Sequence, residues 1–399
     1  MTQIVEPGTT ADEVRVLELV DRLVAEHDPK GDRFSFMGAQ FDMGLAWVHF
    51  PEGHGGLGLP IQLQEVIDER LDTLTQHRPS FFHVIGHGMG APMLMTHGTE
   101  EQKQRHLKKL FTGEDVWCQL FSEPGAGSDV AGLSSRAIRD GDEWIVNGQK
   151  VWTTVAHVSK WGMLVARTDP DLPKHQGMTY FLMDMESEGI EVRPLRQITG
   201  EAEFNEVYMT DVRIPDAQRI GERGDGWKVA LTTLMNERVA IGANVAPRNS
   251  GAIGDLLEVW KEHGGSEKDR DRVMQLWVEA EAARLTNIRA YENRTTGTPG
   301  PEGSTSKLVY AELNKRIYEL ATELMGAAGM LYDTYEFIQP ETPEDMPEDI
   351  RRRFLRVRAN SIEGGTSEIM KNILGERVLG LPGEPRVDKN LPWNEVPRS

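Results

Sequence analysis

The chain has 399 residues, of which 39% are hydrophobic and 27% charged, a mixture that supplies enough apolar side chains for two or three buried cores. Its 44 basic and 63 acidic residues give a formal net charge of −19, which argues against nucleic acid and anionic lipid surfaces as partners. The single cysteine, Cys118, excludes an internal disulfide framework and a cysteine-based metal cluster.

The start of the chain and its histidines exclude further classes of site. The first residues, MTQIVEPGTTADE, lack a basic segment followed by an apolar run, so no secretory signal is predicted. No window approaches the ~20 consecutive apolar residues of a membrane span. His87 and His97 do not have a zinc-ligand spacing, and we predict no metal site. The sequence therefore predicts a cytoplasmic protein of several domains with no membrane span and no nucleic-acid partner.

The first zone of the chain, residues 1–113, has the periodicity of an all-α domain. Apolar residues from Val14 to Val24 recur at steps of three and four, as one buried helix face requires. Thr99 and Gln102 have the spacing of a capping box, in which each side chain satisfies a backbone N–H at the start of a helix. We expect helices throughout this zone.

Gly53, Gly55 and Gly58 form a G-x-G-x-x-G pattern of the kind found in dinucleotide-binding turns. Such a turn belongs to an alternating β-α-β series, and no such series follows it here. We therefore interpret these glycines as a turn between elements of a helical domain, with Pro60 in the first turn of the next helix.

The pattern changes between residues 114 and 225. Short β-branched or aromatic runs such as WCQLFSE, WIVNGQKVWTT and MTYFLMDM are separated by Gly and Asp turns. Because no helical stretches lie between them, these runs predict an antiparallel sheet or a small barrel. The helical periodicity returns after residue 226, so the order of domains is α, then β, then α.

The segment FSEPGAGSDVAGL, residues 121–133, carries the most chemical information. Its glycines, with a serine beside an aspartate, make a loop whose backbone donors can approach a flat ligand closely. The later QKVWTT brings Trp152, Thr153 and Thr154 to the same end of the predicted sheet. An aromatic side chain beside hydroxyls suits a polycyclic cofactor, which stacks on apolar faces and is oriented by a few hydrogen bonds. A solvated hairpin turn, and core packing for Trp152, are the alternatives.

Four motifs, in their order along the chain, are similar to those of a known family. FSEPGAGSD, NGQKVWTT, FNEVYMTDVRIP and IEGGTSEIMKNILGERVLGLP together resemble the acyl-CoA dehydrogenase flavoproteins, and most closely the actinobacterial branch of fatty-acid and sterol-side-chain dehydrogenases. The resemblance implies an α+β fold. Its parts are an N-terminal all-α domain (1–113), a middle antiparallel β domain (114–225) and a C-terminal α domain (226–399) similar to a four-helix bundle.

The resemblance also implies FAD at the junction of the middle sheet and the C-terminal helices. Phe121 and Ser122 would lie along the isoalloxazine ring, with the Ser122 hydroxyl near N5, and Trp152 and Thr154 would flank its other side. Ser128 would lie where the pantetheine or phosphate arm of CoA passes. The FAD-binding residues that the resemblance implies are Phe121, Ser122, Gly127, Ser128, Trp152, Thr153, Thr154, Thr366 and Glu368, the last two near the ribityl or phosphate groups.

The family's reaction needs a carboxylate base, and this chain departs from the commonest position for it. Many members carry a glutamate immediately before the Gly-Thr of a YEGT turn, where IEGGT has Gly364, and Glu363 lies one residue early. A second subgroup carries the base on the first helix of the C-terminal domain, where LTTLMNERVAIGANV has Glu237. We therefore predict Glu237 as the catalytic base, with Ser128, Arg238 and Gly364 at the substrate. A solvated helix face around Glu237 is the alternative.

A second departure from the family pattern concerns assembly. The Arg-x-x-Phe-Gly segment with which homotetrameric members reach a neighbouring FAD is missing from LEVWKEHGGSEKDRDRVMQLW. A partner subunit could supply those contacts, so we predict a homo- or hetero-oligomer, either a dimer or a tetramer.

The resemblance thus predicts FAD-dependent α,β-dehydrogenation of an acyl-CoA thioester to the trans-2-enoyl-CoA. Electrons would pass to an electron-transferring flavoprotein. The alternatives are an acyl-CoA oxidase and a non-catalytic or half-site subunit of a heteromeric acyl-CoA dehydrogenase.

Overall fold

The structure, a computed structural model, describes residues 10–77, 83–242, 246–296, 302–332, 334–341, 345 and 349–397. Of residues 238–242, 291, 293–296 and 302 it describes the backbone only. Along the chain, a helical region precedes the middle sheet and another follows it. The described helices of the N-terminal region are α1 (Ala11–Glu26), α2 (Arg33–Asp42), α3 (Leu63–Asp72), α4 (Ala91–His97) and α5 (Glu100–Thr112).

Helix α1 is present as predicted, but its buried face differs in detail. Val16, Val20 and Leu23 are fully buried and belong to a core shared with α3. Val14 and Val24 are only partly buried. The helical period in the sequence therefore located the helix correctly, whereas the centre of its apolar stripe depends on how α3 packs against it.

Two local features of the helical region agree with their predictions. Thr99 caps α5, since its hydroxyl accepts from the Gln102 N–H at 3.3 Å and the Gln102 side chain accepts from the Thr99 N–H at 2.9 Å. The glycine-rich turn lies between α2 and α3, and Gly53, Gly55 and Gly58 all have positive φ angles there. Its interpretation as a turn within a helical domain is confirmed, but α3 begins at Leu63, so the prediction that Pro60 lies in the first turn of that helix is wrong.

The described strands of the middle region form one sheet. They are β1 (Trp117–Leu120), β2 (Arg136–Asp140), β3 (Glu143–Thr154), β4 (Trp161–Arg167), β5 (Met178–Asp184), β6 (Ile190–Pro194), β7 (Phe204–Pro215) and β8 (Arg219–Ile220). Their order is β6-β7-β3-β2-β4-β5-β8, and β1 pairs with β4. The pairing is antiparallel except that β4 is parallel to β1 and to β2. The sheet is therefore mainly antiparallel, as predicted.

The C-terminal region returns to helices and packs around α9. Its described helices are α6 (Gly226–Gly242), α7 (Gly251–His263), α8 (Glu267–Thr296), α9 (Glu302–Leu324), α10 (Ile350–Arg356) and α11 (Ser367–Ile373). The four long helices pack together, because α6, α7 and α8 each contact α9. The α+β class with a bundle-like C-terminal domain is confirmed, whereas the limits 1–113, 114–225 and 226–399 stay a prediction.

Alternation along β4 and β5 builds two cores on opposite faces of the sheet. Leu164 and Phe181 pack on one face with residues of β3 and β7. Met163 and Tyr180 pack on the other face, against the N-terminal helices and Val229 of α6. Both strands are buried along nearly their whole length, which explains why their sequences are continuous apolar runs. Among the described residues, no helix is both long and apolar enough to cross a membrane.

Candidate functional site

The glycine loop, residues 121–135, leaves β1 and turns at one end of the sheet. Glu123 exchanges two backbone hydrogen bonds, of 2.9 and 3.0 Å, with the residue three positions later, which closes a tight turn. Gly125, Gly127 and Ser128 are exposed on this turn. A Cβ added at either glycine would meet nothing within 4 Å. Packing within the chain therefore does not require these glycines, and the open space leaves room for a ligand close to their backbone.

A buried ion pair lies beneath this loop. Lys150 Nζ donates to the Glu123 carboxylate at 2.8 Å and to the Phe121 carbonyl oxygen at 3.1 Å. The same carboxylate accepts from the Ser134 N–H at 2.6 Å and the Ser135 N–H at 3.0 Å. The pair therefore joins both ends of the glycine loop to β3. Sequence reasoning missed it, because Lys150 stands between Gln149 and Val151 and nothing in that local pattern marks the lysine as buried.

The Glu123 carboxylate gives the protein a specific pH dependence. Burial opposes its charge, but Lys150 and the hydrogen bonds from Ser134 and Ser135 outweigh burial and lower the pKa from 4.5 to about 2. A pKa that is depressed in the folded state adds stability above the ordinary pKa, and this stability is lost as pH falls towards the folded value. Between about pH 5 and pH 3, we expect the wild type to lose roughly 2 kcal/mol more unfolding free energy than Glu123→Gln. Urea denaturation at each pH tests this; parallel curves for the two proteins would contradict it.

The other wall of the site is a bulge at the end of β3. The β3–β7 register shifts between Lys150 and Thr153, and Trp152 takes a φ of 60°. The Trp152 side chain is 58% exposed, so it is not a core residue. Its ring meets Phe204 edge-on at 5.9 Å. The Thr153 hydroxyl is buried and has no hydrogen-bond partner among the described residues.

The glycine loop and the bulge meet directly. The Val151 N–H donates to the Ser122 carbonyl oxygen at 2.9 Å, which brings Ser122, Trp152 and Thr154 to the same end of the sheet, as predicted. An exposed indole, an unpartnered buried hydroxyl and open glycine backbone together fit a polycyclic cofactor such as FAD. The Phe121 ring is buried, with its centre 5.9 Å from that of Tyr180, and its predicted place along the isoalloxazine stays a prediction.

Lys307 of α9 holds the IEGGT loop, residues 362–366, and feels the charge of Glu237. Lys307 Nζ donates to the carbonyl oxygens of Asn360 at 2.7 Å and Gly365 at 2.6 Å. Burial lowers the pKa of Lys307, and the charges of Glu363 and Glu237 act against that shift. The partly buried Glu237 is therefore within electrostatic reach of the same lysine that holds the IEGGT loop.

Glu363 is held in a salt bridge and is not directed to the Gly364 position. Its carboxylate accepts from Asn360 Nδ2 at 2.7 Å and from the Arg356 guanidinium at 3.1 Å. Arg356 also donates to Glu203 at 2.8 Å and lies over the Phe204 ring, which in turn packs on Trp152. Arg356 thus connects the IEGGT loop to the β3 bulge, a link that sequence reasoning missed.

The remaining predicted residues have mixed surroundings. Gly364 and Gly365 have φ angles of 63° and 91°. The Thr366 hydroxyl accepts from the Ile369 N–H at 3.1 Å and so caps α11, and the Glu368 side chain is exposed. The side chain of Arg238 lies outside the described residues. The roles assigned to these residues and to Glu237, Ser128 and Gly127 stay predictions.

A cavity of about 560 Å³ lies in the C-terminal helical region, and Glu237 is not among its lining residues. It opens between α7, α8 and α9, and its lining includes Trp277, Ala283, Tyr310 and Leu313. Lys307 also lines it, so the cavity approaches the back of the IEGGT loop without including Glu237. Within the described ranges, no group of three or more His, Cys, Asp or Glu side chains is placed to hold a metal ion.

Family models match nearly the whole chain. The acyl-CoA dehydrogenase N-terminal domain matches residues 13–114, the middle domain 118–212 and the C-terminal domain 224–379. Among curated relatives, FadE34 of Mycobacterium tuberculosis, named an acyl-CoA dehydrogenase, is 40% identical over 86% of this chain. The chain spans 45% of the length of FadE34. IpdE1 of the same organism, also named an acyl-CoA dehydrogenase, is 34% identical over 90% of this chain and 91% of its own length.

Solved structures show the same fold. One described as the Tcur3481-Tcur3483 steroid ACAD superposes with a TM-score of 0.72 at 25% identity, covering 95% of this chain and 100% of that one. The ChsE4-ChsE5 complex from Mycobacterium tuberculosis gives a TM-score of 0.69 at 26% identity, again over 95% and 100%. The mycobacterial relatives confirm the predicted actinobacterial branch. The chain belongs to the acyl-CoA dehydrogenase family, whose members are flavoprotein oxidoreductases of lipid metabolism.

Proposed function

We propose that this protein dehydrogenates an acyl-CoA thioester to the trans-2-enoyl-CoA, with FAD as cofactor. The observation that carries the proposal is the position of Glu237. It lies within electrostatic reach of Lys307, which holds the IEGGT loop, where Gly364 offers no carboxylate. The chain therefore keeps one carboxylate near the point at which the family's chemistry requires a base.

The residues at the sheet end are suited to hold the cofactor. Trp152 offers an exposed aromatic face and Thr153 and Thr154 offer hydroxyls. Gly127 borders open space on the glycine loop, and Ser122 lies beside the β3 bulge. When bound, FAD supplies the acceptor for the hydride that leaves the substrate's Cβ. Thr366 and Glu368 would lie towards its ribityl or phosphate groups.

The chain's own chemistry is proton removal and positioning. The thioester carbonyl acidifies the Cα–H bond when hydrogen bonds stabilise the developing enolate. Glu237 takes that Cα proton, and Arg238 and the backbone at Gly364 position the thioester beside it. Ser128, exposed on the glycine loop, contacts the pantetheine or phosphate arm of CoA.

Partners follow from the reaction and from the surface of the bundle. The electrons need an acceptor, for which we propose an electron-transferring flavoprotein. Met274, Val278 and Leu285 of α8 are all about half exposed and lie on one helix, as expected for a face covered in a homo- or hetero-oligomer. The cytoplasmic location stays a prediction.

A reductive titration tests the proposed function. We expect the purified chain to show the visible absorbance of bound flavin, and an acyl-CoA added without oxygen to bleach it. A panel of acyl-CoA substrates should be tested, with straight-chain, branched and steroid side-chain thioesters, since one solved relative is described as a steroid ACAD. Flavin that no thioester bleaches would contradict the proposal. Rapid peroxide formation in air without an added acceptor would instead identify an oxidase.

A second candidate is a half-site or non-catalytic subunit that completes a site with another chain. It is favoured by the missing Arg-x-x-Phe-Gly segment and by the likeness to a two-component complex. Colourless protein that gains flavin only when a second acyl-CoA dehydrogenase chain is co-expressed would establish this role.

A further inference from the structure

The segment 385–396, termed here the C-terminal strap, leaves the last helices and crosses to the middle sheet. It lies past residue 379, where the match to the family's C-terminal domain ends. The backbone N–H groups of Trp393 and Asn394 donate to carbonyl oxygens of the turn between β4 and β5, at 2.9 and 3.1 Å. The strap is therefore docked through its backbone as well as its side chains.

Trp393 connects the strap to the glycine loop. Its indole N–H donates to the Gly132 carbonyl oxygen at 3.2 Å. Its ring lies under the guanidinium of the buried Arg167, 4.8 Å from the ring centre. Arg167 in turn donates to the carbonyl oxygens of Ala131 at 2.6 Å and Leu133 at 3.3 Å. Three consecutive carbonyls of the loop are thus held by one indole and the guanidinium stacked on it.

A second contact runs through Lys174. Its ammonium donates to Asp388 of the strap at 2.7 Å and to Asp129 of the glycine loop at 2.8 Å. The Lys174 side chain is largely buried between them. Asp129 immediately follows Ser128, whose side chain is exposed on the part of the loop where added Cβ atoms would meet nothing. The strap therefore reaches the loop at two points, and one of them, Asp129, adjoins the open segment.

We propose that the C-terminal strap positions the glycine loop for the CoA arm of the substrate, with Trp393 and Asp388 as its positioning residues. The role in binding CoA rests on the proposed function, whereas the structural link between strap and loop does not. Neither residue touches the reacting atoms. Their effect is to restrict residues 129–133 and so fix where Ser128 and Gly127 lie.

Hydrogen–deuterium exchange of the full-length protein tests the mechanical link. In Trp393→Ala and Asp388→Asn, we expect the amides of Gly132, Leu133 and Ser134 to exchange about three- to tenfold faster than in the wild type, since each variant removes a contact worth roughly one hydrogen bond. Trp393→Phe keeps a ring under Arg167 and removes only the indole N–H, so it should give a smaller increase. Val387→Ala is the matched control, because that strap side chain is 90% exposed.

Steady-state kinetics test the consequence for substrate. The positioning variants should raise KM for the acyl-CoA about fivefold while kcat changes by less than about twofold, because binding of the arm is weakened and proton removal is not. The flavin absorbance should be unchanged.

The outcomes separate the two proposals. If Gly132 and Leu133 exchange at wild-type rates in both Trp393→Ala and Asp388→Asn, the strap does not have the proposed role. If Trp393→Ala does not fold, the exchange rates of Asp388→Asn and Trp393→Phe provide the test. Faster exchange with unchanged KM would overturn the link to CoA. Absence of flavin and turnover in the wild type would overturn the proposed function, while the exchange data would still decide the strap.

Discussion

Glu237→Gln is expected to lower kcat by about 10³-fold, within the range that a positioned general base contributes. Glutamine keeps the size of the side chain and its polarity but cannot accept the Cα proton at neutral pH. The flavin absorbance should be retained, because the residues proposed to hold the cofactor lie on β3, on the glycine loop and at the start of α11, and none of them lies on α6. Turnover with the best thioester of the panel, together with the absorbance spectrum, gives the measurement.

Glu363→Gln is the control for Glu237→Gln. Glu363 is bound by Arg356 and Asn360, so its replacement should weaken the IEGGT loop and leave most of kcat intact. Substantial turnover in Glu237→Gln, combined with loss of turnover in Glu363→Gln, would assign the catalytic base to Glu363 of the IEGGT loop instead of Glu237 of α6. Loss of flavin in Glu237→Gln would show that the residue serves the cofactor's binding and not proton transfer.

Lys150→Met is expected to destabilise the protein by about 3–5 kcal/mol, the usual effect of removing one partner from a buried ion pair. Methionine fills a similar volume, but it leaves the Glu123 carboxylate buried without its cation and the Phe121 carbonyl oxygen without its donor. Burial lowers the pKa of Lys150, so the pair is already costly to keep charged. Urea denaturation monitored by tryptophan fluorescence measures the loss.

Two further variants serve as controls for the Lys150→Met prediction. Lys160→Met removes an ammonium that donates to Asp184 at 2.9 Å and Glu186 at 2.6 Å but lies near the surface, so a loss below about 1 kcal/mol is expected. The double variant Lys150→Met/Glu123→Leu removes both charges and should recover part of the stability. Equal losses from Lys150→Met and Lys160→Met would show that the buried pair has no special role.

The features that the sequence predicted well depend on neighbours a few positions apart. The capping box of Thr99 and Gln102 and the turn of Gly53, Gly55 and Gly58 follow from local backbone chemistry. The order of helices, sheet and helices follows from hydrophobic periods of 3.6 and 2 residues. Such signals lie within one helix, strand or turn, and they do not depend on which other elements pack against it.

The features that the sequence did not predict depend on pairs far apart in the chain. Lys150 and Glu123 are 27 positions apart, and Trp393 and Gly132 are 261 positions apart. Nothing in either local pattern specifies its partner.

The two left-handed glycines of the IEGGT loop have a consequence for redesign of the site. A glutamate introduced at position 364 would have to adopt a φ of 63°, at a cost of about 1–2 kcal/mol for a residue with a side chain. The next position has a φ of 91°, so the strain extends along the loop. Placing a carboxylate base in this loop by Gly364→Glu would therefore impose backbone strain that Glu237, on a helix, does not carry.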